Sequence, residues 1–237
     1  MPETAVIAGV GPGLGASIAH RFAAEGLDLA LLARSEGYLE SLASTLRADQ
    51  DVSVTTVPTD LASVNAIDNA FDVIESELGP VDVLVNHASG GAWKGLRDLD
   101  PEEFEHALRV GPLGGMRCSQ HAVADMLAGD GGTVLFTGAT SSVRGNDGAA
   151  AFSAAKFAVR GLAESMARDL GPEGIHVAHV VIDGQILTPG AADRYPDRDA
   201  ESFLDPDAIA ENYWHLVEQD RSAWSLEVDL RPHVEEF

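Results

Sequence analysis

The chain alternates short apolar runs with longer amphipathic segments from end to end. The apolar runs, many of them rich in β-branched residues, are TAVIAG, LDLALLA, VSVTTVP, VDVLVN, GTVLFTG, IHVAHVVI and SLEVDL. The amphipathic segments between them lie at about residues 13–25, 37–48, 63–77, 101–127, 150–170 and 207–218. Nearly continuous apolar strands that alternate with helices are typical of a parallel sheet covered on both faces. We therefore predict an α/β fold with helices on both sides of a parallel sheet.

The length of the chain favours a single domain. Its 237 residues, 45% of them hydrophobic, suffice for one well-packed core and give little reason to expect two. Neither an internal repeat nor a low-complexity linker divides the sequence. One stretch, PGAADRYPDRDAESFLDPD from residue 189 onward, has the composition of a loop and could form a lid over a site.

The charge balance is strongly acidic. The chain has 38 Asp and Glu residues against 15 Lys and Arg residues, a net charge of -23, and its lysines are Lys94 and Lys156 alone. Such a charge repels phosphate groups, so we expect neither nucleic acid nor an anionic membrane as a partner. The acidic residues are spread over helix-like segments, which indicates a solvated surface suited to a salt-rich cytoplasm. The alternative is an acidic mesophilic protein in which codon usage favours arginine over lysine.

Targeting, disulfide and metal signals are absent from the sequence. It begins without a basic region or cleavage site, and no apolar run approaches the ~20 residues that span a membrane. We therefore expect a soluble, cytoplasmic protein. Cys118, the single cysteine, excludes an internal disulfide and is expected to be a buried apolar residue. His176 and His179 belong to one predicted strand but point to opposite faces, which argues against a shared metal.

A glycine-rich turn, GVGPGLG, follows the first predicted strand and precedes the first predicted helix. Here Gly9 would allow the tight turn, Gly13 the close approach of a pyrophosphate, and Gly15 the packing of the helix. The free N–H groups of the helix N-terminus would point at whatever occupies the turn. A glycine run alone is a weak signal, but in this context it predicts a dinucleotide site.

The next two strand ends bear on the choice of dinucleotide. Where a carboxylate would grip the 2′-hydroxyl of NAD, the second strand ends in Ala33, followed by Arg34 and Ser35. An arginine beside a hydroxyl suits a 2′-phosphate, so the sequence favours NADP(H) over NAD(H), although Arg34 could also be a solvated surface charge. Asp60, after the third strand, could meet an adenine amino group or equally cap the next helix.

These elements and three further ones resemble the short-chain dehydrogenase/reductase family over nearly the whole chain. The matching motifs are GVGPGLG at 9–15, TD at 59–60, NHAS at 86–89, FSAAK at 152–156 and DGQILT at 183–188. The resemblance implies a Rossmann-type doubly wound sheet of about seven strands in one NAD(P)-binding domain, residues 1–237. It also implies carbonyl reduction or alcohol oxidation on a small-molecule substrate, in a homodimer or homotetramer.

The same resemblance places a set of residues around the cofactor. In addition to the residues already named, the set comprises Leu14, Leu61, Asn86, His87, Ala88, Lys156, Ile186 and Thr188. Ile186 and Thr188 belong to the segment that receives the nicotinamide amide in the family. The strand before that segment is one residue longer here than in the family pattern.

Three of the four catalytic positions of the family carry a different residue here. In the family a tyrosine donates the proton, a lysine binds the nicotinamide ribose and lowers the tyrosine pKa, a serine orients the carbonyl, and an asparagine holds a relay water. Lys156 matches the lysine. The other three positions carry Phe152, Ala139 and Gly111.

Substitutes for the missing groups can be named from the sequence. Thr140 and Ser141 follow the serine position, and together with Lys156 they form the predicted catalytic set. Both hydroxyls could instead be ordinary hydrogen-bonding groups at a strand end. His87 titrates in a suitable range and lies beside the expected cofactor, but it could equally tie strand ends together.

Two functions therefore stay open at the level of sequence. In the first, the protein is an NADP(H)-dependent oxidoreductase with atypical proton delivery, or with a substrate that needs none. In the second, it is a catalytically silent dinucleotide-binding protein that acts as a redox sensor or partner subunit. Lys156 and the intact cofactor motifs favour the enzyme, whereas the missing donors favour the binding protein.

Overall fold

The computed structural model describes residues 3–235, and nine strands lie within them. Their bounds are β1 (Thr4–Ala8), β2 (Asp28–Ala33), β3 (Val54–Pro58), β4 (Val83–Asn86), β5 (Gly132–Thr137), β6 (Ile175–Ile182), β7 (Gln185–Ile186), β8 (Phe203–Leu204) and β9 (Glu227–Leu230). Seven of them form one parallel sheet in the order β3-β2-β1-β4-β5-β6-β9. The order reverses between β1 and β4, which defines a doubly wound sheet.

Eight α-helices accompany these strands within residues 3–235. They are α1 (Leu14–Ala24), α2 (Glu36–Asp49), α3 (Val64–Leu78), α4 (Pro101–Leu108), α5 (Gly114–Ala128), α6 (Ala150–Leu170), α7 (Ala191–Arg194) and α8 (Pro206–Val217). None of these helices combines the length and the apolar character that a membrane crossing requires.

The hydrophobic core consists of two clusters, one on each face of the sheet. Helices α1, α2 and α8 pack on one face, and α3, α5 and α6 pack on the other. Successive strand residues alternate between the clusters: Ile7 and Leu31 belong to the first, Val6 and Leu32 to the second. The predicted fold class, a Rossmann-type doubly wound sheet of seven strands with helices on both faces, is confirmed.

The single helix expected over 101–127 is divided. A π-helical segment, Arg109–Leu113, separates α4 from α5 and contains Pro112. Because proline has no N–H to donate, the regular helical ladder is interrupted there. A Cβ atom on Gly114 would lie 2.5 Å from the backbone oxygen of Leu61, so glycine is required where α5 approaches the loop after β3.

The segment after β6 contains more regular structure than its composition indicates. Strands β7 and β8 pair with each other in parallel, and α7 lies between them in the sequence. The backbone N–H of Leu187 also donates to Leu204 O at 2.8 Å. The stretch predicted to be a loop is therefore a segment of about fifteen residues whose two ends are joined by the pairing of β7 with β8.

Candidate active site

A cleft of about 790 Å³ opens at the carboxyl ends of the strands, beside the reversal between β1 and β4. Its walls come from the turn after β1, from Arg34 after β2, from Asp60 and Leu61 after β3, and from residues 87–92 after β4. Open α/β sheets bind their ligands at this position.

The turn after β1 depends on its glycines. Gly9 and Gly13 have positive φ angles of 109° and 126°. A Cβ atom on Gly9 would lie 2.5 Å from Ala88 Cα, and one on Gly13 would lie 2.7 Å from Thr188 Cγ2. Since Gly13 also precedes α1 and has no side chain to cap it, the first N–H groups of α1 are left for a ligand.

Leu14 and Gly15 have packing roles in the same turn. The side chain of Leu14 is buried in the core, so only its backbone can face a ligand. A Cβ atom on Gly15 would come within 3.2 Å of Gly9 O and 3.3 Å of the His87 ring. Glycine at position 15 therefore allows α1 to pack closely against the ends of β1 and β4.

The strand ends after β2 and β3 bring Arg34, Asp60 and Leu61 to the cleft. Arg34 is exposed and lines it, and the adjacent Ser35 directly precedes α2. Asp60 also lines it, and its Oδ1 accepts a hydrogen bond from the N–H of Ala62 at 3.0 Å. The alternative in which Asp60 caps α3 is wrong, because Ser63 is the capping residue and accepts from the N–H of Ala66 at 3.3 Å.

Lys156 lies inside the protein at the end of β5. It belongs to the first half of α6, and its side chain donates a hydrogen bond to Thr137 O at 2.7 Å. Burial lowers the pKa of Lys156 to about 8. At neutral pH the group is therefore still a cation, in a place with little water to compete for it.

His87 is tied to its surroundings rather than free to exchange protons. Its Nδ1 lies 3.1 Å from Thr137 Oγ1, which in turn lies 2.7 Å from the hydroxyl of the fully buried Tyr213. Burial and the positive charge of Lys156 lower the pKa of His87 to about 4. The expectation that His87 titrates in a useful range is therefore wrong, and the alternative in which it ties strand ends together agrees with these contacts.

Phe152, which the sequence resemblance assigns to the position of the family's proton donor, lies one turn before Lys156 on α6. The centre of its ring lies 5.7 Å from Lys156 Nζ. The loop after β4 covers it from the other side: a Cβ atom on Gly91 would come within 3.1 Å of Phe152, and the Trp93 ring centre lies 5.0 Å from its own. An aromatic pair thus stands where a phenol would be expected.

The two predicted hydroxyls after β5 have different positions. Thr140 donates a hydrogen bond to Asp183 Oδ1 at 2.6 Å. Ser141 is fully buried, where it accepts a hydrogen bond from the side chain of Asn146 at 2.9 Å and lies 3.5 Å from Ser153 Oγ. Ser141 therefore does not reach the cleft, because the short helical turn that follows β5 directs it into the interior.

Asn86 and Gly111 border a small internal cavity behind the cleft. The Asn86 amide donates to Ser119 Oγ at 3.1 Å, while its Oδ1 has no partner within residues 3–235. A Cβ atom on Gly111 would make only ordinary contacts, 3.7 Å from Ala155 and Val159. Asn86, expected at the cofactor, thus lies in the layer beneath the cleft.

The segment predicted to receive the nicotinamide amide, DGQILT at 183–188, packs against the glycine-rich turn after β1. Thr188 contacts the position of Gly13, as described above. Ile186 belongs to β7 and packs against the core, so its side chain contributes to the support of the segment.

Sequence reasoning overlooked Asp183, which is buried beside the site. Its carboxylate accepts from Thr140 and pairs with Arg231 at 3.2 Å and with Arg144 at 3.5 Å. The sequence did contain a sign of its importance: Asp183 begins DGQILT, at the position where the family pattern has a proline.

The buried cysteine and histidines carry no metal site. Cys118 is buried, as expected. His176 bonds to Leu216 O and Ser225 O, whereas His179 faces Glu227, so the two rings do point apart. Within residues 3–235 no group of three or more His, Cys, Asp or Glu side chains could hold a metal ion.

The doubly wound sheet and its cleft define a Rossmann-type protein. Its sequence matches the family model for short chain dehydrogenases over residues 3–199. The chain belongs to the short-chain dehydrogenase/reductase family, a family of oxidoreductases.

Individual relatives agree with this assignment. The 3-oxoacyl-(acyl-carrier-protein) reductase MabA of Mycobacterium tuberculosis is 31% identical over 186 residues, which cover 78% of this chain and 70% of that protein. An oxidoreductase of Staphylococcus aureus is 26% identical and covers 97% of both chains. The structure of an alcohol dehydrogenase from the archaeon Thermococcus sibiricus, complexed with 5-hydroxy-NADP, superposes with a TM-score of 0.89 at 27% identity, covering 100% of this chain and 99% of that one.

Proposed function

We propose that this protein is an NADP(H)-dependent oxidoreductase that acts on a small carbonyl or alcohol, with an active site that departs from the family pattern. One observation supports the proposal most strongly. A buried Lys156 cation accompanies a turn after β1 that only glycines can form.

The residues of the cleft fit a dinucleotide. Gly9 and Gly11 line the cleft, and a Cβ atom on Gly11 would meet open space, so the turn presents bare backbone to a pyrophosphate at the N-terminus of α1. Asp60 would accept from an adenine amino group, and Arg34 would pair with a 2′-phosphate. The related alcohol dehydrogenase of T. sibiricus, which is complexed with 5-hydroxy-NADP, supports NADP(H) over NAD(H).

A bound reduced nicotinamide would supply the hydride. Lys156 would hold the nicotinamide ribose and stabilise negative charge that develops on the substrate, since a buried cation acts strongly where water is excluded. Thr188 would orient the carboxamide from its position against Gly13. Ala88 and the loop that follows line the same cleft.

The missing proton donors favour a second candidate, a catalytically silent dinucleotide-binding protein. A positioned acid contributes typically ~10²–10⁴-fold to such reactions. Phe152 and Ala139 cannot supply one, and Gly111 cannot hold a relay water with a side chain. Orientation of the two reactants could still give a rate, because it is worth several kcal/mol by itself.

Titration calorimetry with NADPH and NADH, followed by a carbonyl panel monitored by nicotinamide absorbance, separates these functions. Binding of NADPH with turnover of at least one carbonyl supports the oxidoreductase. Binding without turnover supports the silent protein. Failure to bind either dinucleotide contradicts both.

Assembly and location follow from the same proposal. Exposed apolar side chains on the adjoining helices α4 and α6, among them Phe104 and Phe157, support a homodimer or homotetramer. We infer one NAD(P)-binding domain over the whole chain and a location in the cytoplasm. Light scattering during size-exclusion chromatography measures the assembly directly.

A further inference from the structure

The loop that follows β4 walls the cleft without hydrogen bonds of its own. Residues 89–92 line the cleft, and two of them, Gly90 and Gly91, are glycines. Within the described residues 3–235, residues 89–93 make no hydrogen bond through backbone or side chain. Glycines lose more conformational freedom than other residues when they are ordered. The position of this wall therefore depends on what the loop packs against and on how its ends are attached.

Packing places the loop between the π-helical segment and α6. A Cβ atom on Gly90 would lie 3.0 Å from Val110 Cβ, and one on Gly91 would lie 3.1 Å from Phe152 Cβ. The Trp93 ring lies on the ring of Phe152, with the two centres 5.0 Å apart. Apolar contacts of this kind are not directional, so they favour a close approach without fixing one position.

Lys94 supplies the directional attachment at the far end of the loop. Its Nζ donates hydrogen bonds to both carboxylate oxygens of Glu103 on α4, at 2.7 and 2.9 Å. Its backbone oxygen accepts a hydrogen bond from the N–H of Ala150, at the start of α6, at 3.3 Å. One residue thus joins the loop to both helices. Lys94 is also one of only two lysines in the chain.

Glu103 is a well-ordered partner for this lysine. It belongs to the capping box of α4, in which its Oε2 accepts from the N–H of Asp100 at 3.2 Å. The hydrogen bond from Lys94 lowers the pKa of Glu103, so the carboxylate is ionised at neutral pH. Exposed ion pairs are weak largely because both side chains must be ordered, and here the cap already orders one of them. Glu103 itself lines the cleft, so the attachment lies at the cleft wall.

We propose that Lys94 is a positioning residue for the dinucleotide, because it ties loop 89–95 to α4 through Glu103 and so holds residues 89–92 where they meet the ligand. This inference rests on the proposed function and adds a residue to its binding site. Lys94 does not line the cleft and acts only through Glu103 and the loop. A wall that is ordered before the ligand arrives leaves less conformational entropy to be lost on binding.

Calorimetry with NADPH measures the effect. Lys94→Met should bind NADPH about fivefold more weakly than the native protein, the factor that corresponds to ~1 kcal/mol. Lys94→Arg, which retains a cation for Glu103, should restore most of the affinity. Glu105→Gln is the matched control, because Glu105 pairs with Arg109 within the same stretch of helix and does not attach the loop. Its affinity for NADPH should equal that of the native protein.

A double substitution separates positioning from charge. Lys94 also neutralises Glu103, a carboxylate in a cleft proposed to receive phosphates. In Lys94→Met combined with Glu103→Gln both charges are absent, while glutamine can still accept the capping hydrogen bond. We expect this variant to bind NADPH as weakly as Lys94→Met alone. Recovery of the native affinity would show that Lys94 acts by neutralisation only, and would overturn the inference.

Trp93 reports the position of the loop without any ligand. In the free protein, Lys94→Met should increase the nanosecond component of the tryptophan fluorescence anisotropy decay, and Lys94→Arg should not. Addition of NADP⁺ should reduce that component. Trp93→Phe should abolish it, which assigns the motion to the loop rather than to Trp224, whose ring stacks on His176.

Failure of this inference differs from failure of the proposed function. If the native protein binds NADPH and Lys94→Met binds it equally well, or shows the native anisotropy decay, Lys94 does not position the loop and the oxidoreductase proposal stands. If the native protein binds neither NADPH nor NADH, the proposed function is wrong and the role of Lys94 towards a dinucleotide falls with it.

Discussion

Lys156 lies one helical turn after Phe152, with its Nζ 5.7 Å from the centre of the phenylalanine ring. A tyrosine at this position would hold its hydroxyl near a buried cation, and a nearby positive charge lowers the pKa of a phenol. The native ring has no proton to give. This pair therefore offers a direct test of the proposed oxidoreductase function.

We predict that Phe152→Tyr combined with Ala139→Ser gains at least tenfold in NADPH-dependent reduction of a small ketone. Each single change should gain less, because both hydroxyls act on one oxygen and their effects are not additive. Steady-state rates across a carbonyl panel measure the gain.

A matched control for this experiment lies five residues after Phe152 on the same helix. Phe157→Tyr also adds a phenol to α6, but on a side chain that is 45% exposed on the surface proposed for assembly, and it should leave the rate of carbonyl reduction unchanged. If the double variant binds NADPH normally and reduces no carbonyl, the missing donors are not the limit, and the silent binding protein becomes the better account.

Arg34 should discriminate between the two dinucleotides. A charge-assisted hydrogen bond to a 2′-phosphate is worth ~1.5–3 kcal/mol, which corresponds to tenfold or more in affinity. We predict that Arg34→Ala weakens NADPH binding at least tenfold and leaves NADH binding nearly unchanged, as measured by calorimetry. Arg168→Ala, on an exposed arginine that bonds to Glu164 within α6, should alter neither. Equal losses for both dinucleotides would contradict the assignment of Arg34.

The sequence sufficed for the fold because its apolar residues repeat with the periods of buried strands and amphipathic helices. The turn after β1 was equally accessible, since positive φ angles and close approaches at Gly9 and Gly13 need glycine. Both features depend on residues that are near one another in the chain. Local pattern is what a single sequence expresses most directly.

The electrostatics of the site could not be predicted in the same way. The pKa of His87 is lowered by its burial and by Lys156 of α6, and its ring contacts Thr137 of β5, which is itself bonded to Tyr213 of α8. The direction of Ser141 depends on a short helical turn, and the π-helical segment depends on Pro112 within an otherwise helical pattern. The contacts of His87 join residues far apart in the chain, whereas the turn at Ser141 and the π-helical segment are local departures from regular structure; neither kind of feature appears in the hydrophobic periodicity.

The net charge of -23 should make stability depend on salt. Self-repulsion opposes the compact state and weakens as the Debye length falls from ~10 Å at 0.1 M to ~3 Å at 1 M salt. We predict that Tm rises by several degrees between 0.1 M and 1 M KCl, because each kcal/mol of relief corresponds to ~2–4 °C for a domain of this size. Chloride is the proper salt, since sulfate also strengthens hydrophobic burial. A Tm that does not change, measured by calorimetry, would rule out adaptation to a salt-rich cytoplasm.

His87 should contribute to instability in acid. In the folded protein its pKa is lowered to about 4, whereas a histidine in the unfolded chain takes up its proton near pH 6.5. Between these values the unfolded state binds more protons than the folded one, so the free energy of unfolding falls as the pH drops from about 6.5 towards 4. We predict that His87→Asn flattens this dependence, because asparagine can bond to Thr137 without titrating. Urea unfolding at pH 4.5, 5.5 and 6.5 measures the slope, and His215→Asn, on an exposed histidine of α8, is the control that should retain it. Burial also lowers the pKa values of His176 and His179, and these two histidines contribute equally to both variants. If the slope measured for His87→Asn equals that of the native protein, the neutral state assigned to His87 is wrong.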